Sequence, residues 1–435
     1  MYIQTFPAIA LGKLIAKITQ ILKIGGGSAA PGLYALKICP NLVFNLTRGV
    51  NKTIVITGTN GKTTTARMLA RFASSQKLKV LRNTVGSNLE RGVASTLIQA
   101  VSLSGQFKKN YDLAIWELDE ADFNNVAPKL KPDIIVFLNV FRDQLDRYGE
   151  VDSVVKNWCR SLTYISPQAQ IFINGDDHNL LELKKCFSGK IQTFGVKDYK
   201  IQGEKVVRKP EKGKLDFEAK NIKKGGLEQL SFSLHSQTFT LPVPGIYHIY
   251  NFLASYGCAQ TLGIPAKIIK KSLKNFSPAF GRVEKFNLTE KNMGYIFLIK
   301  NPAGATQVFQ TLAPELKPAD SLLLVLNDNL ADGTDVSWIW DADFEQLLSP
   351  SLRAQAKQSQ IYVSGSRAED LAVRLKYAGF PENTITIQNN LKKAFKETQM
   401  GLKGRLFILP TYTALLELQK ILVSSGLKKH YWKEN

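Results

Sequence analysis

The residues best suited to chemistry are Gly58, Thr59, Asn60, Gly61, Lys62, Thr63 and Thr64, which stand between an apolar run at 53–56 and the segment 66–70. Their order reads strand, glycine-rich loop, helix. Such a loop presents successive backbone N–H groups to phosphate, the helix N-terminus adds the positive end of its dipole, and Lys62 adds a point charge that reaches a terminal phosphate. Thr63, directly after the lysine, is placed to offer its hydroxyl to Mg²⁺. The two glycines are closer together than the general phosphate-loop pattern asks, so the match is to its Gly-Lys-Thr end and to its setting. The ligand implied is a nucleoside triphosphate.

The elements that must position this loop follow from the alternation around it. Short apolar runs at 79–81, 113–116, 134–138 and 171–173 are separated by helical stretches, which predicts a mainly parallel sheet covered on both faces. Ligands of such sheets bind beyond the carboxyl ends of the strands. Glu117, immediately after 113–116, is therefore the carboxylate expected to share Mg²⁺ with Thr63, because Mg²⁺ prefers hard oxygens. Asp119, Glu120 and Asp122 follow it, and Asp122 reads better as part of a solvated acidic loop. The stretches 139–149 and 174–177 bring Asn, Asp and Gln to the same edge, which points to a shared site, although these are also ordinary turn residues.

Segment 199–228 is rich in Lys and Gly and reads as an exposed excursion or weak hairpin. Strands are expected again at 230–234 and 239–241, then a Pro-Val-Pro-Gly turn at 242–245 and a helix from 246 to about 262. A second α/β domain follows, with strands expected at 295–299, 322–326, 361–363, 384–387 and 406–409 and helices at 303–312, 368–377 and 412–422. The expected organisation is an N-terminal helical segment with a Gly-rich loop (1–50), a central nucleotide-binding domain with a mainly parallel sheet (51–280), and a C-terminal Rossmann-like α/β domain (281–435). The loop at 327–345 carries Asp328, Asp332, Asp335, Asp341 and Asp343 beside two tryptophans. It lacks the ligand ladder of a calcium loop. A surface turn, a protein interface and a catalytic loop all remain open for it.

Composition restricts the partners. With 57 Lys and Arg against 36 Asp and Glu, the net charge of +21 favours anionic ligands. The lysines are dispersed without a basic tail, so no nucleic-acid partner is expected. Cys39, Cys159, Cys186 and Cys258 lie far apart, which argues against a zinc site and a disulfide framework and fits a reducing cytoplasm. Near the N-terminus, Leu11, Leu14, Ile15, Ile18 and Leu22 fall on one helical face, expected to pack on the main domain. Lys13, Lys17 and Lys23 interrupt the apolar run, so the segment is too charged to span a bilayer but suits peripheral membrane contact.

The loop 58–64, the acidic stretch 116–120, the segment 139–149, Asn174–Asp177 and Gly245–Asn251 together resemble, in that order, the Mur ligase superfamily. More narrowly, the chain is similar to the MurT-like ligase subunits of lipid II isoglutaminyl synthase. The likeness extends over nearly the whole chain and is most specific at Gly25–Gly27, 142–149, 300–304, 332–344 and 374–379. It implies ATP-dependent amidation of the α-carboxylate of D-glutamate in the lipid II stem peptide through an acyl phosphate, in the cytoplasm and at the inner face of the membrane. It implies Asn251 beside the adenine, Arg282 near the nucleotide and a second cation site near Asp143. No cysteine has the setting of a glutaminase nucleophile, and the resemblance supplies ammonia from a separate GatD-like glutamine amidotransferase subunit. An aspartate of the ligase chain then completes that partner's Cys-His pair; Asp335 is the first choice, with Asp332 and Asp341 behind it. Gln144, where amino-acid-adding relatives carry His, favours amidation. The middle segment holds no cysteines of the zinc ribbon found in many such chains, so no structural zinc is expected, and His248 stands where the family pattern has Asn. The alternatives are an amino-acid-adding Mur or folylpolyglutamate-type ligase and a non-catalytic, nucleotide-dependent scaffold for a glutaminase.

Overall fold

The computed structural model describes residues 4–22, 29–83, 87–141, 151–197, 213–274, 276–277, 281–290, 292–348 and 360–428. The glycines at 25–27, the segment 142–150, with Asp143 and Gln144, and residues 198–212 lie outside these.

Three helices come first: α1 (Thr5–Ile21), α2 (Ala30–Ile38) and α3 (Leu42–Leu46). The strands of the first sheet are β1 (Val50–Thr57), β2 (Val80–Arg82), β3 (Tyr111–Glu117), β4 (Ile134–Phe137), β5 (Gln170–Asn174), β6 (Lys190–Val196), β7 (Phe217–Gly225), β8 (Gln229–Leu234) and β9 (Gln237–Leu241). They pair in the order β2-β3-β1-β4-β5-β6-β7-β8-β9. The pairs from β2 to β7 are parallel, and β7-β8-β9 close the sheet antiparallel. Helices α4 (Lys62–Ser75), α5 (Glu90–Ala100), α6 (Phe123–Leu130), α7 (Val151–Leu162), α8 (His178–Leu181), α9 (Tyr247–Thr261) and α10 (Ala266–Leu273) cover it.

Side chains alternate across each strand. Val55, Trp116 and Phe137 face a core shared with α1, α2, α3, α5 and α6, whereas Ile54, Ile56, Ile115 and Val136 face one shared with α4 and α9. Double-sided burial is why these strands read as continuous apolar runs. The expected weak hairpin around 199–228 is, where described, an integral strand: β7 joins the parallel sheet to the antiparallel edge.

The second sheet contains β10 (Arg282–Asn287), β11 (Met293–Phe297), β12 (Ser321–Val325), β13 (Ile361–Ser364), β14 (Ile385–Ile387) and β15 (Leu406–Pro410) in the order β10-β11-β15-β12-β13-β14. Only β10 runs antiparallel to its neighbour. Helices α11 (Pro302–Leu312), α12 (Ala368–Tyr377), α13 (Leu391–Met400) and α14 (Tyr412–Ser424) flank it. Leu322, Leu324 and Phe407 face one core, and Leu323, Val325 and Ile408 the other.

Two expectations need correction. Helix α1 does pack on α2 and α5, but through Thr5, Ala8, Ile9 and Gly12. Leu14, Ile18, Ile21 and Leu22 remain exposed, and Leu11 and Ile15 are half-buried. The reason is size: a Cβ on Gly12 would stand 2.7 Å from the Ile98 side chain, so the small-residue face allows the close approach. Second, Cys159 and Cys186 form a disulfide. The two cysteines, 27 positions apart, enclose β5, and α7 then lies beside the 3₁₀ turn Glu182–Lys185. Cys39 and Cys258 are free and buried, as small apolar residues are, and burial pushes the Cys258 thiol up.

Candidate active site

The phosphate loop leaves β1 and turns into α4 through two glycines whose conformations require them. Gly58 (φ +129°) and Gly61 (φ +94°) lie in the left-handed half of backbone space. A Cβ on Gly58 would meet the Asn139 carbonyl oxygen at 2.7 Å, and one on Gly61 the Asn251 Oδ1 at 2.3 Å. Asn139, beyond the end of β4, brackets Asn60: its Oδ1 accepts from the Asn60 N–H at 2.8 Å and its Nδ2 donates to the Asn60 carbonyl at 2.9 Å. The Thr59 N–H donates to the Asn139 carbonyl at 3.0 Å, and the Phe141 N–H to Thr59 Oγ1 at 3.0 Å. The loop's shape is thus fixed by its neighbours on the sheet edge.

The candidate metal ligands are brought together. Thr63 Oγ1 donates to Glu117 Oε2 at 2.6 Å. Glu117 is buried, and Asn83 holds its backbone by two reciprocal hydrogen bonds of 2.9 Å. Burial lowers the pKa of Arg67 and of Arg82, and the charge of Glu117 offsets part of that effect for each.

Lys62 is folded back on its own loop. Its Nζ donates to the Gly58 carbonyl, to the Thr59 carbonyl at 3.3 Å and to Glu120 Oε2 at 3.0 Å. Both members of that ion pair are nearly inaccessible. Burial pushes the Glu120 carboxyl up, but the charges of Lys62 and of Lys300, from the second domain, outweigh it and hold the group below the usual glutamate range. Asp122 does not belong to this cluster; its carboxylate accepts from the Glu90 N–H at 2.6 Å at the start of α5.

Across the loop lies a cleft lined by Asn60, Asn139, Asn174, Tyr247, Asn251 and Gln307. Asn251, on α9, also accepts from Thr65 Oγ1 at 3.4 Å, so it braces the loop from the side of the cleft. Asp177, in the 174–177 turn, is structural: it caps α8 and accepts from the Val140 N–H at 2.8 Å. The two domains meet at the loop, where Asn60 and Asn301 exchange side-chain hydrogen bonds of 3.2 Å in both directions. Asn301 is also the N-cap of α11. Arg282 opens β10, and its side chain lies outside the described ones.

The aspartates of the second domain separate by environment. Asp332 is buried and accepts from the N–H and hydroxyl of Thr413 at the start of α14, so it is tied up in the fold. Asp335 is exposed; its Oδ1 accepts from the Ser337 N–H at 2.8 Å, and the backbone and hydroxyl of Ser337 hold its carboxyl below the usual range. Asp341 is exposed too. Beside them Trp340 (50% exposed) meets Tyr377 (75% exposed) edge-on, with centroids 5.5 Å apart. Buried Arg374 underlies Trp340 and donates to the carbonyls of Ile339 (3.0 Å) and Ala342 (2.8 Å), which makes the loop rigid.

Comparison with known proteins matches both halves. A family model described as Mur ligase middle domain covers residues 56–259, and one described as MurT ligase C-terminal covers 298–415. The MurT subunit of glutamine-hydrolysing lipid II isoglutaminyl synthase from Streptococcus pneumoniae R6 is 30% identical, over 95% of this chain and 97% of that protein. The chain belongs to the MurT family. Its Staphylococcus aureus COL relative is likewise 30% identical over 94% of this chain and 95% of its own. MurF from Acinetobacter baumannii has the same fold, with a TM-score of 0.68 at 19% identity over 92% of this chain and 81% of that one. As a MurT-family member the chain is an ATP-dependent ligase of the Mur type. Within this MurT-family site, reading the sequence singled out Lys62, Thr63 and Glu117 but missed Glu120, Asn83 and the Asn301 side chain. The position of Glu120, three residues beyond a strand end, was the only signal for it.

Proposed function

We propose that this chain is the synthetase subunit of a two-protein amidating enzyme. It activates the α-carboxylate of D-glutamate in the stem peptide of lipid II with ATP, and a separate GatD-like glutaminase supplies the ammonia. The observation that carries this reading is the Thr63 hydroxyl 2.6 Å from the Glu117 carboxylate, on the same loop and helix start as Lys62. The γ-phosphoryl group passes from ATP to a carboxylate oxygen, giving an acyl phosphate and releasing ADP. Ammonia then adds at the acyl carbon, the C–O bond to phosphate breaks with its electron pair leaving on phosphate, and loss of a proton leaves the amide.

Each residue has a part in this. Backbone N–H groups of residues 61–64, at the start of α4, bind phosphate oxygens. Lys62 turns from Glu120 towards the γ-phosphate and follows the charge as it moves, and Glu120 stores the ammonium group when the site is empty. The hydroxyl of Thr63 and the carboxylate of Glu117 fit Mg²⁺, being hard oxygen donors that leave room for water and phosphate. When bound, that ion offsets negative charge on the phosphates. Asn251 lines the cleft where the adenine sits, and Arg282 lies near the nucleotide. Asp335 points to the partner: an exposed, ionised carboxylate on a rigid loop can accept from an imidazole N–H, fix its tautomer and stabilise the imidazolium. The neighbouring Trp340 and Tyr377 are the kind of exposed aromatic anchors that bind a partner. The reaction takes place in the cytoplasm at the inner face of the membrane.

The test is to co-express the chain with a glutaminase partner and to assay lipid II with ATP and either glutamine or ammonium. Amidation is expected with both. Absence of ATP consumption with either nitrogen source overturns the reading.

A further inference from the structure

Helix α1 is apolar on two opposite faces, and only one of them is used. Thr5, Ala8, Ile9 and Gly12 pack inward, while Leu14 (55% exposed), Ile18 (44%) and Ile21 (68%) point to solvent half a helical turn away. Leu33 and Tyr34 of the adjoining α2 are exposed as well. A helix hydrophobic all round is ordinarily buried all round. The segment that holds α1 and α2 carries no acidic side chain, the first in the chain being Glu90. Lys17 and Lys37 are exposed beside the apolar stripe. Among the described residues, no helix is long and apolar enough to cross a membrane.

We infer that the outer face of α1 docks in the plane of an anionic lipid bilayer. An apolar stripe bordered by lysines is what an interfacial helix presents, with the stripe entering the acyl boundary and the ammonium groups meeting lipid phosphates. An acidic protein would match the charge, but the stripe itself carries no polar group to pair with one. The helix is fastened to the catalytic domain. Lys13 Nζ donates to the carbonyls of Ile98 (2.8 Å) and Val101 (2.6 Å) at the end of α5, and the Glu90 N–H at the start of α5 donates to Asp122, on the segment that follows β3 and Glu120. Docking therefore fixes the active-site edge relative to the membrane. The inference rests on the reading that the substrate is lipid-linked, and it assigns the surface that meets the lipid.

The experiment is co-sedimentation of the full chain with vesicles of phosphatidylcholine containing phosphatidylglycerol, and with phosphatidylcholine alone, neither containing lipid II. Binding to the anionic vesicles is expected, weakened by salt. The triple variant Leu14→Glu, Ile18→Glu, Ile21→Glu should bind them roughly tenfold or more weakly. These side chains are exposed, so ADP binding and far-UV circular dichroism should be unchanged. Equal sedimentation of wild type and variant, no binding by wild type, or a wild-type dimer that the variant abolishes overturns the inference. Amidation of detergent-solubilised lipid II is assayed separately. Failed vesicle binding with intact amidation removes only the docking surface, whereas vesicle binding without amidation removes only the functional reading.

Discussion

The phosphate loop and the aspartate-rich loop both follow a strand end of a mainly parallel sheet, yet they are built in opposite ways. Around the first, buried Glu117, Glu120 and Asn60 are paired with Thr63, Lys62 and Asn139. Around the second, Asp332 is the one buried aspartate among the described residues, and Asp335, Asp341, Trp340 and Tyr377 face water. Buried polar groups must find partners within the fold, because an unpaired one costs about 1–3 kcal/mol. An exposed carboxylate and two exposed rings face no such demand. The first loop is therefore satisfied within this chain, whereas the second leaves a carboxylate and two rings exposed, as the proposed partner contact requires.

That contrast can be broken at either end. The largest effect is expected from Asp335→Asn, which should lower glutamine-dependent amidation by on the order of 10³–10⁴-fold while leaving ammonium-dependent amidation intact. Equal loss with both nitrogen sources would place Asp335 in the synthetase reaction instead. Lys62→Ala should lower amidation on the order of 10²–10³-fold whichever nitrogen source is supplied. Trp340→Ala should weaken association with the glutaminase by about 2 kcal/mol, read by titration calorimetry, without changing the ammonium reaction.

The smallest effect concerns Glu120→Gln. Lys62 keeps two carbonyl acceptors, so thermal denaturation should show a loss of about 1–3 kcal/mol at neutral pH. The folded carboxyl titrates below its unfolded value, so the stability it contributes is full above the ordinary glutamate range and fades as pH falls through the folded value. The gap between wild type and variant should accordingly narrow on acidification. A gap that widens would mean that burial, and not the two lysines, governs this carboxylate.

The legible parts of the molecule were the local ones. Strand, loop and helix at 53–70 are contiguous, so the residues themselves carry the phosphate site, and Glu117 followed from the rule about strand ends. Glu120 was not legible, because the path of the chain beyond β3 decides which of Glu117, Asp119, Glu120 and Asp122 turns inward. The Asn60–Asn301 and Asp332–Thr413 contacts join residues far apart in the chain, and no periodicity reports them. Helix α1 shows a different limit. Its pattern identifies a helix with apolar faces, but which face packs is decided by the fit of Gly12 against Ile98. The disulfide was missed because spacing alone does not reveal that α7 returns beside residue 186.

At the phosphate loop the domains are joined by two uncharged amides, while the Lys285–Glu228 ion pair joins them elsewhere. Asn60 and Asn301 attract each other only at hydrogen-bonding range and in one relative orientation, and neither titrates or is screened by ions. This contact holds equally well across physiological pH and salt, unlike the exposed Lys285–Glu228 ion pair, which salt screens. Because one half of it belongs to the phosphate loop, anything that shifts the loop on nucleotide binding shifts the grip on the second sheet. By linkage, whatever holds the second domain in place must alter nucleotide affinity by the same factor. On the proposed reading, a partner held by the outer loop and a nucleotide held by the inner one can influence each other through this contact.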